Sequence, residues 1–281
     1  MIQNILYEAF DMKTKILEKV FKLKFAGFLF IGVLGCGGIN LPALAAMPIQ
    51  QWTTANGAKV LFVETHAIPV LDISVEFDAG SRRDPADKIG LAALANGSLD
   101  KGILSPDGNN VSESRILDAF ADAGALHGGK SGMDRAGYTL RVLSGQAESD
   151  DVIQMMSRFL SKPSFPEELL ERDKARLVAS LREELTRPES IAAKTFKRDL
   201  YIDHPYGRSP TPESVMSITR NDLVNFHKTH YVANRAVISI VGDVDQNRAR
   251  AIADEISQNL QTSYQELPVL PEIRPVTSKT D

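Results

Sequence analysis

The sequence predicts an α+β fold, a largely antiparallel sheet with helices packed on one face. Residues 70–77 alternate apolar and polar side chains, which is typical of a strand with one covered face. Asn56-Gly57 lies between two strand-like runs, and this dipeptide is a strong hairpin signal. Longer segments with apolar side chains at helical spacing follow these strands, and they predict the helical layer.

The other elements are placed by their caps and breakers. Ser112 begins a helix as its N-cap, and Gly124 ends it. Pro163, Pro166 and Pro188 separate three further helices. Six predicted helices span residues 88–102, 112–124, 150–160, 166–187, 189–200 and 245–260. A seventh is capped by residues 218–222 and continues through Phe226 and His227. Further strands are predicted at 135–143 and in the run that ends at Gly242.

The composition bounds the class of protein. The chain has 281 residues, a net charge of −4 and an ordinary share of apolar and charged residues, so we expect one or two globular domains. Its single cysteine, Cys36, leaves no intrachain disulfide and no cysteine-based zinc site. The slight acidity and the lack of a basic, aromatic-rich cluster argue against nucleic acid as a partner.

The first 45 residues have the pattern of a secretory signal peptide. Lysines at 13–24 precede the short apolar run 25–34, and Ala43-Leu-Ala45 offers a cleavage site. The apolar run is too short for a comfortable membrane span. We therefore expect export to the periplasm, with membrane attachment only through an uncleaved signal. Lipid attachment at Cys36 is the alternative.

Several short motifs occur in a fixed order along the chain. These are the Asn-Gly hairpin, Gly-Ser-Arg at 80–82, Lys-Gly at 101–102, His-Pro-Tyr-Gly at 204–207 and Tyr-x-x-Asn followed by Val-Gly-Asp-Val at 231–244. Together they resemble the insulinase/pitrilysin (M16) zinc peptidases. The resemblance implies a LuxS/M16 metallopeptidase-like domain at 46–264, the N-terminal domain of a short bacterial two-domain type. It also implies that the proline-rich residues 265–281 are a linker to a second domain, absent from this chain.

The same resemblance places an active-site helix at residues 88–102. The family carries His-x-x-Glu-His there, whose spacing sets two zinc ligands and a catalytic carboxylate on one helix face. In this chain those positions fall on Ala93, Asn96 and Gly97. Alanine and glycine cannot bind a metal, and asparagine cannot act as a general base. Glu171 is the residual candidate for the third ligand, but we interpret it as an ordinary surface acid, and we expect no cofactor.

In M16 enzymes the substrate peptide lies on an edge strand, and the matching positions here are His127, Gly128, Gly129 and Lys130. Strand addition depends on backbone groups more than on side chains, so peptide binding is compatible with these changes, although glycine is expected to loosen the edge strand. His127 itself is interpreted as an exposed loop residue. His204, His227 and His230 are interpreted as turn or core residues.

Three functional hypotheses follow. The first is a non-catalytic, exported M16 homologue that binds peptide or pairs with an active M16 subunit as a heterodimer. The second is an active zinc endopeptidase with unusual ligands, drawn from His66, His127, Glu171 and His204. Zinc is expected only in this case. The third is a truncated, non-functional fragment, because the second domain is missing.

Overall fold

The structure is a computed structural model that describes residues 48–274. The predicted signal peptide at 1–45, with Cys36, and the last part of the predicted linker, 275–281, lie outside the described residues. Within the described range, none of the helices has the length and apolar character needed to cross a membrane. Residues 261–274 form neither helix nor strand, and the Arg83 guanidinium donates a 2.8 Å hydrogen bond to the carbonyl of Pro268 in this segment.

Six strands form the main sheet, in the order β1-β2-β8-β3-β7-β6. Only the pairing of β2 with β8 is parallel. Two short strands, β4 and β5, pair separately. The strands span Gln50–Thr53 (β1), Lys59–Glu64 (β2), Val70–Phe77 (β3), Gly102–Ile103 (β4), Val111–Ser112 (β5), Leu126–Ser131 (β6), Ala136–Leu143 (β7) and Val237–Gly242 (β8).

One face of the main sheet forms the core. Along β3, Leu71, Ile73, Val75 and Phe77 are buried, and the residues between them are partly exposed. The same alternation occurs in β7 and β8, so the apolar faces of neighbouring strands coincide. The predicted α+β class, with a largely antiparallel sheet and helices on one face, is confirmed.

Eight helices complete the described fold. The predicted caps are present: the Ser112 hydroxyl accepts from the Arg115 amide, and Thr219 forms a capping box with Asp222. The helices span Leu91–Gly97 (α1), Glu113–Asp122 (α2), Gln146–Ser161 (α3), Glu167–Glu184 (α4), Pro188–Leu200 (α5), Pro212–Met216 (α6), Arg220–His230 (α7) and Gln246–Ser257 (α8).

The helix predicted at 88–102 is much shorter than expected. Gly90 has φ of +108°, a left-handed conformation that cannot continue a helix, so α1 begins at Leu91. After Gly97 the chain passes through a single 3-10 turn and enters β4 at Gly102. The predicted helix boundaries were wrong because the apolar pattern gives no sign of the left-handed conformation of Gly90, which prevents the helix from beginning earlier.

Candidate functional site

Helix α1 packs against β6, β7 and α7. Its buried side is formed by Leu91, Ala92, Leu94, Ala95 and Asn96. Ala93 and Gly97, four residues apart on the same helix face, are both exposed. The two positions that the resemblance assigns to metal ligands therefore lie on the exposed face and carry no donor atom.

A buried carboxylate fixes the start of α1. Asp84 accepts hydrogen bonds from the amides of Gly90 at 2.8 Å and Ala92 at 2.7 Å. The first amides of a helix have no partner within it, so this carboxylate supplies one from the preceding turn. Burial raises the pKa of Asp84 to about 6, although both hydrogen bonds act in the opposite direction.

Asn96 joins α1 to two other elements. Its side chain is buried, and its Oδ1 accepts a hydrogen bond of 3.1 Å from the hydroxyl of Tyr231, the residue after α7. Its Nδ2 lies against the backbone of Gly129 on β6, where an added Cβ atom would come within 2.8 Å. Burial raises the pKa of the Tyr231 phenol, so the hydroxyl stays protonated and donates. Asn96 therefore acts as a packing contact in the core.

The residues of α1 do not fit a zinc ion. A catalytic zinc site takes three protein ligands, from histidine, cysteine or a carboxylate. Ala93 and Gly97 provide none, and the amide of Asn96 is turned into the core. Across residues 48–274, no three histidine, cysteine, aspartate or glutamate side chains lie close enough together to hold a metal ion.

Glu171 lies on the exposed side of α4, as predicted. Its Oε1 is 2.7 Å from the Nζ of Lys174. Lys174 is itself buried, and it also donates a 2.9 Å hydrogen bond to the carbonyl of Ile218. A buried ammonium is tolerated when its donors are paired in this way. Glu171 is therefore the ion-pair partner of a structural lysine.

The other alternative ligands have separate partners. His66 follows β2, and its two ring nitrogens face Asp243 and Glu64; these hydrogen bonds raise the pKa of His66. His204 is buried, and its Nδ1 accepts a 3.1 Å hydrogen bond from the amide of Tyr206, as expected for a residue that shapes a turn. The structure therefore gives the hypothesis of unusual zinc ligands no ligand set within the described residues.

The positions assigned to peptide binding, His127 to Lys130, lie on β6, one edge of the main sheet. Within β6, the Cβ position of Gly129 faces Asn96 of α1. Side chains alternate along a strand, so His127 faces the same helical layer, whereas Gly128 and Lys130 face away from it. The outer backbone edge of β6 has no neighbouring strand among the described residues.

His127 is not the exposed loop residue that we expected. It is half-buried on β6, and its ring stacks on Phe120 of α2 at 4.1 Å between centroids. Tyr138 donates its hydroxyl proton to Asp100 at 2.8 Å, so the Nδ1 of His127, 2.5 Å from that hydroxyl, must carry the proton of their shared hydrogen bond. Burial lowers the pKa of His127. The glycine-rich sequence suggested a loop, but pairing with β7 and this aromatic contact order it.

Sequence reasoning missed the residues that fix α1 in place, Asp84 and Tyr231. Asp84 had one available signal: it lies in the Ser-Arg-Arg-Asp-Pro turn, a few residues before an apolar run, where a capping acid is expected. Tyr231 was noted only as the first residue of the Tyr-x-x-Asn motif. Its contact with Asn96 had no signal, because the two residues are distant in the sequence and meet only through the packing of α7.

Comparison with known proteins supports the resemblance to M16 peptidases. The sequence model of the protein family described as peptidase M16 inactive domain matches residues 217–281. The crystal structure of a peptidase M16 inactive domain from Pseudomonas fluorescens superposes with a TM-score of 0.74 at 32% identity, covering 82% of this chain and 54% of that one. The chain therefore has the fold of M16 peptidase domains, and residues 217–281 resemble the inactive domain of that family in sequence. The M16 homologue described here thus has the family fold without metal ligands on α1.

Its curated relatives include proteins described as peptidases and one described as a non-peptidase. The non-peptidase homolog YmxG of Helicobacter pylori is 26% identical over 81% of this chain and 50% of its own length. An uncharacterized zinc protease of Rickettsia felis is 21% identical over 73% of this chain and 49% of its own length. The M16 homologue therefore spans about half the length of these relatives. The periplasmic protease PqqL of Escherichia coli shares the fold, with a TM-score of 0.68 at 16% identity over 81% of this chain and 26% of that one.

Proposed function

We propose that this M16 homologue is non-catalytic and binds extended peptide segments along the edge strand β6. The observation that carries the proposal is the exposed face of α1, where Ala93 and Gly97 offer no donor atom beside an uncovered strand edge. The chain has lost the groups for metal-dependent hydrolysis and has kept a surface on which a peptide could lie.

Backbone geometry supports binding by strand addition. In an antiparallel ladder, half of the N–H and C=O groups of an edge strand point away from its neighbour and are free to pair with another chain. Gly128 and Gly129 bear no side chain that would hinder an approaching strand. Peptide recognition of this kind takes its affinity mainly from backbone hydrogen bonds.

We further propose that the protein acts in the periplasm, after removal of residues 1–45, beside an active M16 subunit. Three findings support this: the basic and apolar N-terminal sequence, a relative described as a non-peptidase homolog, and a structural neighbour described as a periplasmic protease. Residues 46–264 would form the M16 domain, and residues 265–281 would link it to a second half. The partner would supply the zinc chemistry that α1 lacks.

The test is peptide binding by the chain from residue 46 onwards, measured by fluorescence anisotropy. The probe is a fluorescein-labelled octapeptide of alternating valine and lysine. A second probe carries N-methyl groups on alternate residues, which remove its backbone donors on one side. We expect saturable binding of the first probe and at least about tenfold weaker binding of the second, since backbone pairing carries the affinity. Equal binding of both probes would contradict strand addition.

Proline substitutions locate the site. Proline removes a backbone donor, and of two adjacent residues in β6 one points its amide outwards. Gly128→Pro and Gly129→Pro are therefore compared with Gln51→Pro, which changes the opposite edge strand β1. One of the β6 variants should lose peptide binding, and the β1 variant should keep it. Thermal melting shows which of these proline variants remain folded. The non-catalytic assignment has its own test, since stoichiometric zinc in the purified chain would refute it.

A further inference from the structure

A cavity of about 350 Å³ lies between the α3–α4 connection and α7. This volume is in the range of small-molecule sites. Its apolar lining includes Leu104, Pro163, Phe165, Val224 and Tyr231. Phe165 and Tyr231 are buried, whereas Leu104 is 45% exposed at the surface. The cavity therefore offers an apolar floor that opens to solvent.

The charged groups of this cavity are all of one sign. Lys162, Arg220 and Lys228 contribute to its lining, and no aspartate or glutamate of the described segment does. Neither Lys162 nor Lys228 forms an ion pair with another residue of the described part of the chain, and both are exposed. The whole protein has a net charge of −4, so a cluster of three cations is a local exception. Such a cluster over an apolar surface attracts an anion.

Arg220 fixes part of this charge in place. Its Nε donates to the carbonyl of Phe165 and its Nη2 to the carbonyl of Ser164, both at 2.8 Å. Phe165 has φ of +47°, a left-handed conformation that is costly for a bulky residue. The arginine therefore holds the α3–α4 connection in a strained conformation that turns the Phe165 ring onto His227, with 5.8 Å between centroids.

His227 completes the apolar floor as a neutral group. It is buried, and its Nε2 donates a 2.9 Å hydrogen bond to the carbonyl of Leu160. Its ring stacks on Tyr231 at 5.0 Å between centroids. Lys162 and Lys228 are thus the exposed cations of the cavity, and its buried lining includes the aromatic rings of Phe165, His227 and Tyr231.

We propose that this cavity binds an apolar carboxylate, with its body against Phe165, Val224 and Tyr231 and its carboxylate beside Lys162 and Lys228. The source of this chemistry is either a free organic acid or the C-terminal residue of a peptide. The inference is independent of the proposed peptide binding at β6, because it uses different residues and a different recognition mode.

Calorimetric titration of the chain from residue 46 onwards tests the proposal. Decanoate represents the free acid, and 1-decanol is its uncharged counterpart. N-acetyl-Leu-Phe, compared with its C-terminal amide, represents the peptide terminus. We expect at least one of the two acids to bind about tenfold or more tightly than its uncharged counterpart, because the rim cations contact only the carboxylate. The tighter of the two acids identifies the source.

Matched variants place the site. Lys162→Gln/Lys228→Gln should weaken binding of the acid about tenfold. Lys59→Gln should not, and it changes another exposed lysine that has no ion pair with a described residue. Leu104→Glu puts a carboxylate at the mouth and should abolish binding. Leu117→Glu changes an equally exposed leucine outside the cavity and should leave binding intact. Equal binding of acid and uncharged counterpart, or binding unaffected by the lysine and Leu104 changes, would overturn the proposal.

Discussion

At the scale of single residues, Asn96 holds a structural contact at the position that the resemblance assigns to a catalytic carboxylate. The Tyr231 hydroxyl has its partner in Asn96, so removing either side chain leaves a buried polar atom unpaired, at a cost of about 1–3 kcal/mol. An ionised glutamate at the same place would have to be buried near α1, which is far more costly than an amide. The chemistry of this residue favours packing over catalysis.

Ala93 and Gly97 allow a direct experiment on metal binding. The variant Ala93→His/Gly97→His places two imidazoles at i and i+4 on an exposed helix face. A side chain at Gly97 meets no atom within 4 Å of its Cβ position, so it fits without strain. We expect the variant to bind zinc about tenfold or more tightly than either single-histidine variant, because two ligands replace one. Calorimetry with zinc chloride measures the difference.

The unsubstituted chain is the reference for this experiment, and it should bind no zinc at α1. Gly97→Ala serves as the control for helix stability, since replacing glycine within a helix is itself favourable by about 0.5–1 kcal/mol. If the double-histidine variant binds zinc no better than the single variants, then α1 does not present these two positions on one face.

At the scale of elements, α1 and β6 approach each other closely at Gly129. A Cβ atom at Gly129 would lie 2.8 Å from the Asn96 Nδ2, and Tyr231 holds the Asn96 side chain in place. We therefore expect Gly129→Ala to destabilise the fold by about 1–3 kcal/mol, the usual cost of overpacking. Urea unfolding followed by circular dichroism gives the change in free energy of unfolding.

The neighbouring glycine is the matched control. A Cβ atom at Gly128 has no other atom within 4 Å, so Gly128→Ala should cost little. In an Asn96→Ala background, the penalty of Gly129→Ala should shrink, because the clashing amide is gone. Equal effects of the two glycine changes would show that α1 does not press on β6 at this point.

Local patterns predicted the elements better than their junctions. The alternation in β3 and the caps of α2 and α7 were readable because each depends on residues close together in the sequence. The start of α1 was not, since Asp84 and Gly90 define it through a turn and not through hydrophobic periodicity. The burial of Lys174 was equally hidden, because its partner Ile218 belongs to a distant segment.

At the scale of the whole molecule, buried ionisable groups make stability depend on pH. Burial lowers the pKa of His227 and His230 to about 4, whereas burial raises that of Asp84 to about 6. Between pH 7 and pH 5 the unfolded chain binds a proton at each of these histidines and the folded chain does not. The free energy of unfolding therefore falls by about 2 kcal/mol for each histidine. Asp84 acts in the opposite sense, because on acidification the folded state binds a proton at Asp84 at a higher pH than the unfolded state does. This raises the free energy of unfolding by about 1 kcal/mol.

The expected net result is a loss of about 2–3 kcal/mol in the free energy of unfolding from pH 7 to pH 5. Urea titrations at the two pH values measure it. A glutamine side chain at position 227 can donate to the carbonyl of Leu160 in place of the His227 Nε2. An asparagine side chain at position 230 can donate to the carbonyl of Asp78 in place of the His230 Nδ1. The variant His227→Gln/His230→Asn should therefore lose most of this acid sensitivity. The same sensitivity in the variant as in the original chain would assign the effect to other groups.

The site was predictable in part for a reason that also belongs to this scale. Resemblance located Ala93, Asn96 and Gly97 in the sequence, but only the packed molecule shows that two are exposed and one is buried. The cationic cavity was invisible in the sequence, because Lys162 and Lys228 are brought together by the docking of α7 against the α3–α4 connection. No local pattern encodes a contact of this kind.

The position of β8 has a consequence for how the nascent chain folds. β8 pairs with β2 on one side and β3 on the other, so among the strands of residues 48–274 it alone joins the β1–β2 hairpin to the β3–β7–β6 group. Lys59 meets Val237, which the ribosome adds long after it. Until then both β2 and β3 have an open edge, the situation in which strands mispair with other chains. Completion of the sheet is therefore a late, long-range event, and translation that stalls before β8 leaves two unjoined halves.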